Sequence, residues 1–146
     1  SNAMMGLLST PKYWRSLMKA NLEQAFTHPA VASGKAAAIG YCFGGQACLE
    51  QVRNGDNLQA ICTFHGLLHS YPGVKDENHP KGRGWGDRLT KAEFEAQIDT
   101  APNNYNTDTK VLIENGDLDT SVPQEGDTGI DAWKAEMDAA GIDWRL

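Results

Sequence analysis

The chain has 146 residues, 40% hydrophobic and 22% charged, a size and balance that suit one soluble globular domain with a real core. A formal net charge of −6 argues against nucleic acid or an anionic membrane surface as a partner. No apolar run approaches the roughly 20 residues that span a bilayer, and no signal peptide is visible, so a cytoplasmic location is expected.

Ser1-Asn2-Ala3 ahead of Met4-Met5 reads as an expression-tag remnant, which leaves residues 4–146 as a single domain. Thr10-Pro11 is a helix start, with a capping residue followed by proline at the first helical position. Trp14, Leu17, Met18, Leu22 and Phe26 then recur at helical spacing, until His28-Pro29 closes the segment. Residues 36–41 are a continuously apolar strand, the pattern of a parallel strand covered on both faces. A helix over about 45–53 follows, with Asn54-Gly55-Asp56 as its stop signal. Residues 59–64 and 110–114 are two further buried strands. Between them lies a long polar insertion, about residues 67–106, rich in Gly, Pro and Asn. Its one amphipathic piece, residues 90–98, opens with Thr90 and Glu93 in a capping-box spacing, so the insertion is either a lid or a solvated excursion. A last helix over about 127–140 stops at Gly141, and residues 142–146 open another strand. Strands alternating with helices imply an α/β architecture, with a parallel sheet and ligand chemistry at the carboxyl ends of its strands. Cys42, His65 and Asp119 all fall at such ends.

Cys42 stands on the layout of a nucleophile elbow: an apolar strand, then Gly40-Tyr41-Cys42-Phe43-Gly44-Gly45, then a helix. Glycines two positions before and after let strand and helix approach, and the helix N-terminus favours thiolate over thiol. A structural cysteine beside a glycine turn is the alternative. Cys42, Cys48 and Cys62 make an odd, sparse set without metal-ligand spacing. This suits free thiols in a reducing compartment, with no metal and no cofactor, and Cys48 and Cys62 as small core residues. Gly82 to Gly86 follow no strand, so they are not a phosphate loop. Glu93 and Glu95 read as solvated, as do His69 and His79 in the insertion, and His28 is a helix-end residue.

The segment Gly40-Tyr41-Cys42-Phe43-Gly44-Gly45 resembles the elbow of the dienelactone hydrolase family, α/β-hydrolases with a Cys-His-Asp triad. Residues 58–66 resemble its next strand, which ends in His-Gly, and residues 110–123 resemble the strand and loop that deliver the triad acid. The resemblance covers roughly residues 27–144 and implies a partial α/β-hydrolase-like parallel sheet flanked by helices. It implies Cys42 as nucleophile toward a small-molecule ester or lactone, with the Phe43 N–H as an oxyanion donor. Asp119, in Asp-x-x-Val-Pro, matches the triad acid that orients an imidazole, while Asp117 reads as a turn former. Tyr41, Gly44 and His65 would line the pocket, although His65 could instead simply bond to backbone. The family's histidine would lie beyond Leu146, and His28, His65, His69 and His79 all precede Asp119. The family's first strands and its second oxyanion donor also have no counterpart here. The resemblance therefore implies a truncated member, weak or inactive as an enzyme by itself. The rival expectation is a non-catalytic hydrolase-fold remnant used for binding or assembly. A thiol redox sensor would need a resolving cysteine, and Cys48 is too far along the helix for easy pairing. Open sheet edges predict association, as a homo-oligomer, by exchange of elements, or by pairing with the missing pieces of the fold.

Overall fold

In a computed structural model, which describes residues 7, 10–32, 34–70, 102–126 and 128–146, strands and helices alternate along the chain. Helix α1 (Pro11–Phe26) begins as the sequence indicates, with Thr10 at the N-cap and Pro11 in the first turn. Strand β1 (Ala37–Tyr41) leads through Cys42 directly into α2 (Phe43–Asn54). Strands β2 (Ala60–Phe64) and β3 (Lys110–Glu114), helix α3 (Ile130–Ala140) and strand β4 (Asp143–Arg145) follow. Both α2 and α3 end on a left-handed glycine, Gly55 and Gly141, each with φ of 70°. Helix α3 begins at Ile130, after the 127 expected from the sequence, because Gly129 just before it is still in a turn. Gly129 N–H donates to the Gly126 carbonyl, and Ile130 N–H to that of Pro123. The tag residues, the helix at 90–98, His79 and the glycine run at 82–86 lie outside the described residues.

The four strands are all parallel and lie in the order β1-β2-β3-β4. Parallel crossovers are right-handed, so a strand order that runs one way across the sheet sends successive helices to the same face. The side-chain alternation agrees. Ile61, Thr63, Val111 and Ile113 are buried toward the helices. There they join Cys48, Leu49 and Val52 of α2 and Ile130, Trp133 and Met137 of α3 in one core. The opposite face carries Ile39 at 62% exposure, Tyr41 at 59% and Leu112 at 37%. The expectation that β1 is covered on both faces is therefore corrected: its apolar residues reflect a two-sided sheet, but among the described residues only one side is packed. Cys62 is corrected with it, since it lies half-buried in the outward alternation of β2 while Cys48 is in the core.

A buried ion network ties α1, α2 and α3 together. Arg15 Nε of α1 donates to Glu50 Oε2 of α2 at 2.7 Å, and Arg53 Nη1 donates to Glu50 Oε1 at 2.9 Å. Arg53 Nε and Nη2 grip both oxygens of Glu136 on α3 at 2.7 Å each. The Tyr105 hydroxyl also donates to Glu136 Oε1. Burial penalises the Glu136 carboxylate, but the Arg53 hydrogen bond and charge outweigh it and hold its pKa below the ordinary value. Burial, then the hydrogen bond to Glu136, push the Tyr105 phenol up. The network also fastens both ends of the long β2–β3 connection. Arg53 Nη2 donates to the Leu68 carbonyl at 2.5 Å, and Arg15 Nη2 to Asn103 Oδ1 at 3.0 Å. The start of that connection is consequently packed. His69 is buried, not solvated as its polar neighbourhood suggests, because Gln46 Nε2 holds its carbonyl at 2.6 Å.

Candidate active site at the strand-to-helix elbow

Cys42 occupies the single residue between β1 and α2, with φ of 53° and ψ of −120°. An L-residue rarely adopts that backbone, which costs on the order of 1–3 kcal/mol and persists only where surrounding structure enforces it. The enforcement is visible. Cys42 N–H continues the sheet by donating to the Phe64 carbonyl at 3.0 Å, and its own carbonyl accepts from Gly45 and Gln46. Those two bonds use the inner donors of the first turn of α2. The N–H groups of Phe43 and Gly44, which have no intrahelical acceptor, are left at the positive end of the helix, directly after Cys42 in the chain. The Cys42 side chain is exposed.

Glycine makes the tight turn possible, though not at every position the motif suggests. A Cβ on Gly40 would lie 2.1 Å from the Gly44 carbonyl oxygen. A Cβ on Gly45 would meet the Gly66 Cα at 3.0 Å, so the elbow helix rests backbone to backbone on the chain leaving β2. A Cβ on Gly44 would meet nothing within 4 Å, so Gly44 contributes its carbonyl rather than its missing side chain. Phe43 points back and stacks on Trp14 of α1 at 5.0 Å, which seats the start of α2.

His65 follows β2, and its N–H donates to the Glu114 carbonyl at 2.9 Å. Its ring centroid is 6.4 Å from that of Tyr41, which in turn stacks on Phe64 at 4.9 Å. Asp119 lies in the loop after β3, half-buried, where its Oδ1 accepts from the Ser121 N–H at 2.8 Å. That is a local turn contact. No hydrogen bond joins Asp119 to a histidine among the described residues. Cys42, His65 and Asp119 thus stand after the carboxyl ends of three adjacent strands, on one edge of the sheet. Tyr41 lies on the face that is uncovered among the described residues and is exposed. Sequence reading missed Gln46 and Arg53, whose signal is only that they are polar residues inside an amphipathic helix. Among the described residues, no group of three or more His, Cys, Asp or Glu could hold a metal ion.

The model of the dienelactone hydrolase family fits residues 2–145. The chain belongs to the dienelactone hydrolase family. Among solved structures it is similar to a dienelactone hydrolase-like promiscuous phosphotriesterase from metagenomic libraries, with 28% identity and a TM-score of 0.65. That match covers 99% of this chain and 48% of the other. It is also similar to a structure designated m3DLH, at 30% identity and a TM-score of 0.62, over 97% of this chain and 46% of that one. The chain thus spans about half the length of these dienelactone hydrolase-like structures. No curated protein matches it.

Proposed function

We propose that the chain carries the nucleophile half of a cysteine-dependent ester or lactone hydrolase, with Cys42 as the nucleophile. The observation that carries this reading is the strained Cys42 backbone at the strand-to-helix turn, held by the sheet on one side and by glycines on the other. The Cys42 thiolate attacks the carbonyl carbon of a small-molecule ester or lactone, and the Phe43 N–H donates to the oxygen that becomes negative. The C–O bond to the leaving group then breaks, and water cleaves the resulting thioester. Asp119 serves as the triad acid, a role supported by its loop after β3. A soft thiolate can also attack phosphorus, so the phosphotriesterase activity named for the similar structure makes activated phosphotriesters a second substrate class to assay.

Because Asp119 orients no histidine among the described residues, the chain assayed alone is expected to acylate readily and deacylate slowly. Stopped-flow hydrolysis of 4-nitrophenyl acetate tests this. The expected trace is a burst of nitrophenolate close to one equivalent, then slow turnover, with the burst lost in Cys42→Ala. A burst that survives Cys42→Ala contradicts the nucleophile. Steady turnover at the rate of a competent esterase, abolished by Cys42→Ala, contradicts the slow deacylation.

The uncovered sheet face favours a second role, in assembly. Self-association through that face or through the open strand edges accompanies the hydrolase reading and would stand without it. Three free cysteines support a reducing, cytoplasmic setting.

A further inference from the structure

We propose that His65 is the base that activates Cys42, so that the two form a dyad across adjacent strand ends. This rests on the reading of Cys42 as the nucleophile. Among the described residues, two that are not glycine have positive φ, Cys42 at 53° and His65 at 42°. They are neighbours. Tyr41 pairs with Phe64 in the last register step of β1 and β2, and Cys42 and His65 are the next residue on each strand. Strand spacing puts their Cα atoms about 5 Å apart. Strain of this kind collects where a side chain must be presented at a defined place. Both residues are exposed at the carboxyl ends of neighbouring strands, without a hydrogen bond between their side chains in this structure, so the dyad forms on rotation of the imidazole toward the thiol.

The placement of His65 is rigid. Its N–H is fixed to Glu114, and Gly66 is wedged against Gly45 of the elbow helix. The next residues are clamped to that helix through Gln46 to the His69 carbonyl and Arg53 to the Leu68 carbonyl. The helix that carries the thiol therefore also positions the imidazole. The ring sits on the Tyr41 side of the edge and is exposed, so a rotation about its side-chain torsions is unobstructed by core packing. Proton transfer breaks the Cys42 S–H bond and forms an N–H bond on His65. When the thiolate attacks an ester, the imidazolium returns that proton to the departing alkoxide.

The other titratable groups at this edge are the Tyr41 phenol, the Cys62 thiol, and the Glu114, Asp117 and Asp119 carboxyl groups. The first turn of α2 contains no acidic residue. An inflection near neutral pH in Cys42 labelling belongs either to His65 or to the Cys42 thiol itself, and the comparison with His65→Asn separates the two. The two other thiols are separable as well. Burial, then the charge of Cys62, push Cys48 up to about 11, and burial with the charge of Glu114 also raises Cys62.

The test is the pH dependence of iodoacetamide alkylation, followed peptide by peptide by mass spectrometry, in the wild-type chain and in His65→Asn. Asparagine tolerates positive φ and does not titrate, so the variant preserves the turn. Cys42 should be alkylated fastest, with an inflection between about pH 6 and 7.5 in the wild type. His65→Asn should remove the inflection and slow Cys42 labelling at pH 7 by about tenfold or more, leaving Cys48 and Cys62 unchanged. A second readout needs no change at His65: the NMR titration midpoint of its imidazole should move in Cys42→Ser. An unchanged Cys42 profile in folded His65→Asn, or an unmoved midpoint in Cys42→Ser, overturns the dyad and leaves Cys42 as nucleophile. A Cys42 no more reactive than Cys48 or Cys62 in the wild type overturns both.

Discussion

Gly40 and Gly44 both stand two residues from Cys42, yet the backbone around them makes opposite demands. A side chain at Gly40 would drive into the Gly44 carbonyl, and no flexible atom can yield there, whereas Gly44 faces open space. Gly40→Ala should destabilise the fold by about 2–4 kcal/mol or prevent folding, and Gly44→Ala should stay within about 0.5 kcal/mol. Urea denaturation of the two variants checks the contrast. The elbow itself was legible from the sequence because glycine spacing around one reactive residue between a strand and a helix has few other uses. The division of labour among the glycines was not, since spacing does not reveal which Cβ direction is blocked. His65 illustrates the same limit. His-Gly at a strand end is visible in the sequence, but its positive φ and its place beside Cys42 are products of register.

The helices and strands were largely readable, because proline, glycine and apolar periodicity mark their starts and stops. What joins them was not. Glu50 and Arg53 have the spacing of an ordinary surface pair on a helix, yet both are buried. Their partners Arg15 and Glu136 lie 35 and 83 residues away, beyond any local pattern. Arg53→Leu would leave the Glu136 carboxylate without its main partner and Glu50 half-paired, so a loss of about 3–5 kcal/mol is expected in thermal or urea unfolding. The network also makes a pH prediction. Glu136 has a depressed folded pKa, so its stabilisation is fully present above the ordinary glutamate value, near 4.3, and is lost as pH falls through the folded value. Stability should decline below about pH 4.5, and Glu136→Gln should flatten that decline. Asp56, whose pKa burial raises against its hydrogen bonds to Asn54 and Gln51, acts with the opposite sign and sharpens the need for the variant comparison. A decline of equal slope in Glu136→Gln would contradict the assignment.

Strand order governs the molecule as a whole. A sheet that adds each strand on the same side of the last gathers α2 and α3 on one face, with α1 beyond α2, and leaves Ile39, Tyr41 and Leu112 on the other. The apolar run of β1 was readable as sheet, but not as a half-covered sheet, because a buried face and an uncovered apolar face have the same composition. Lys110 and Asp143, paired at 2.6 Å across β3 and β4, give the uncovered face a charged margin of both signs. Such a face, with the outer sides of β1 and β4 unpaired among the described residues, should make the chain self-associate in a concentration-dependent way. Light scattering after size exclusion should show dimers or larger species that Ile39→Lys shifts toward monomer while the melting temperature holds. A monomer at all concentrations, in wild type and variant alike, would contradict a role for this face in assembly.

The account turns on Cys42 acting as a nucleophile, and mass spectrometry of the chain quenched after brief exposure to 4-nitrophenyl acetate tests it most directly. The predicted result is a single acetyl adduct mapped to the peptide containing Cys42 and absent from Cys42→Ala. Acetylation spread over lysines, with Cys42 unmodified, would contradict it.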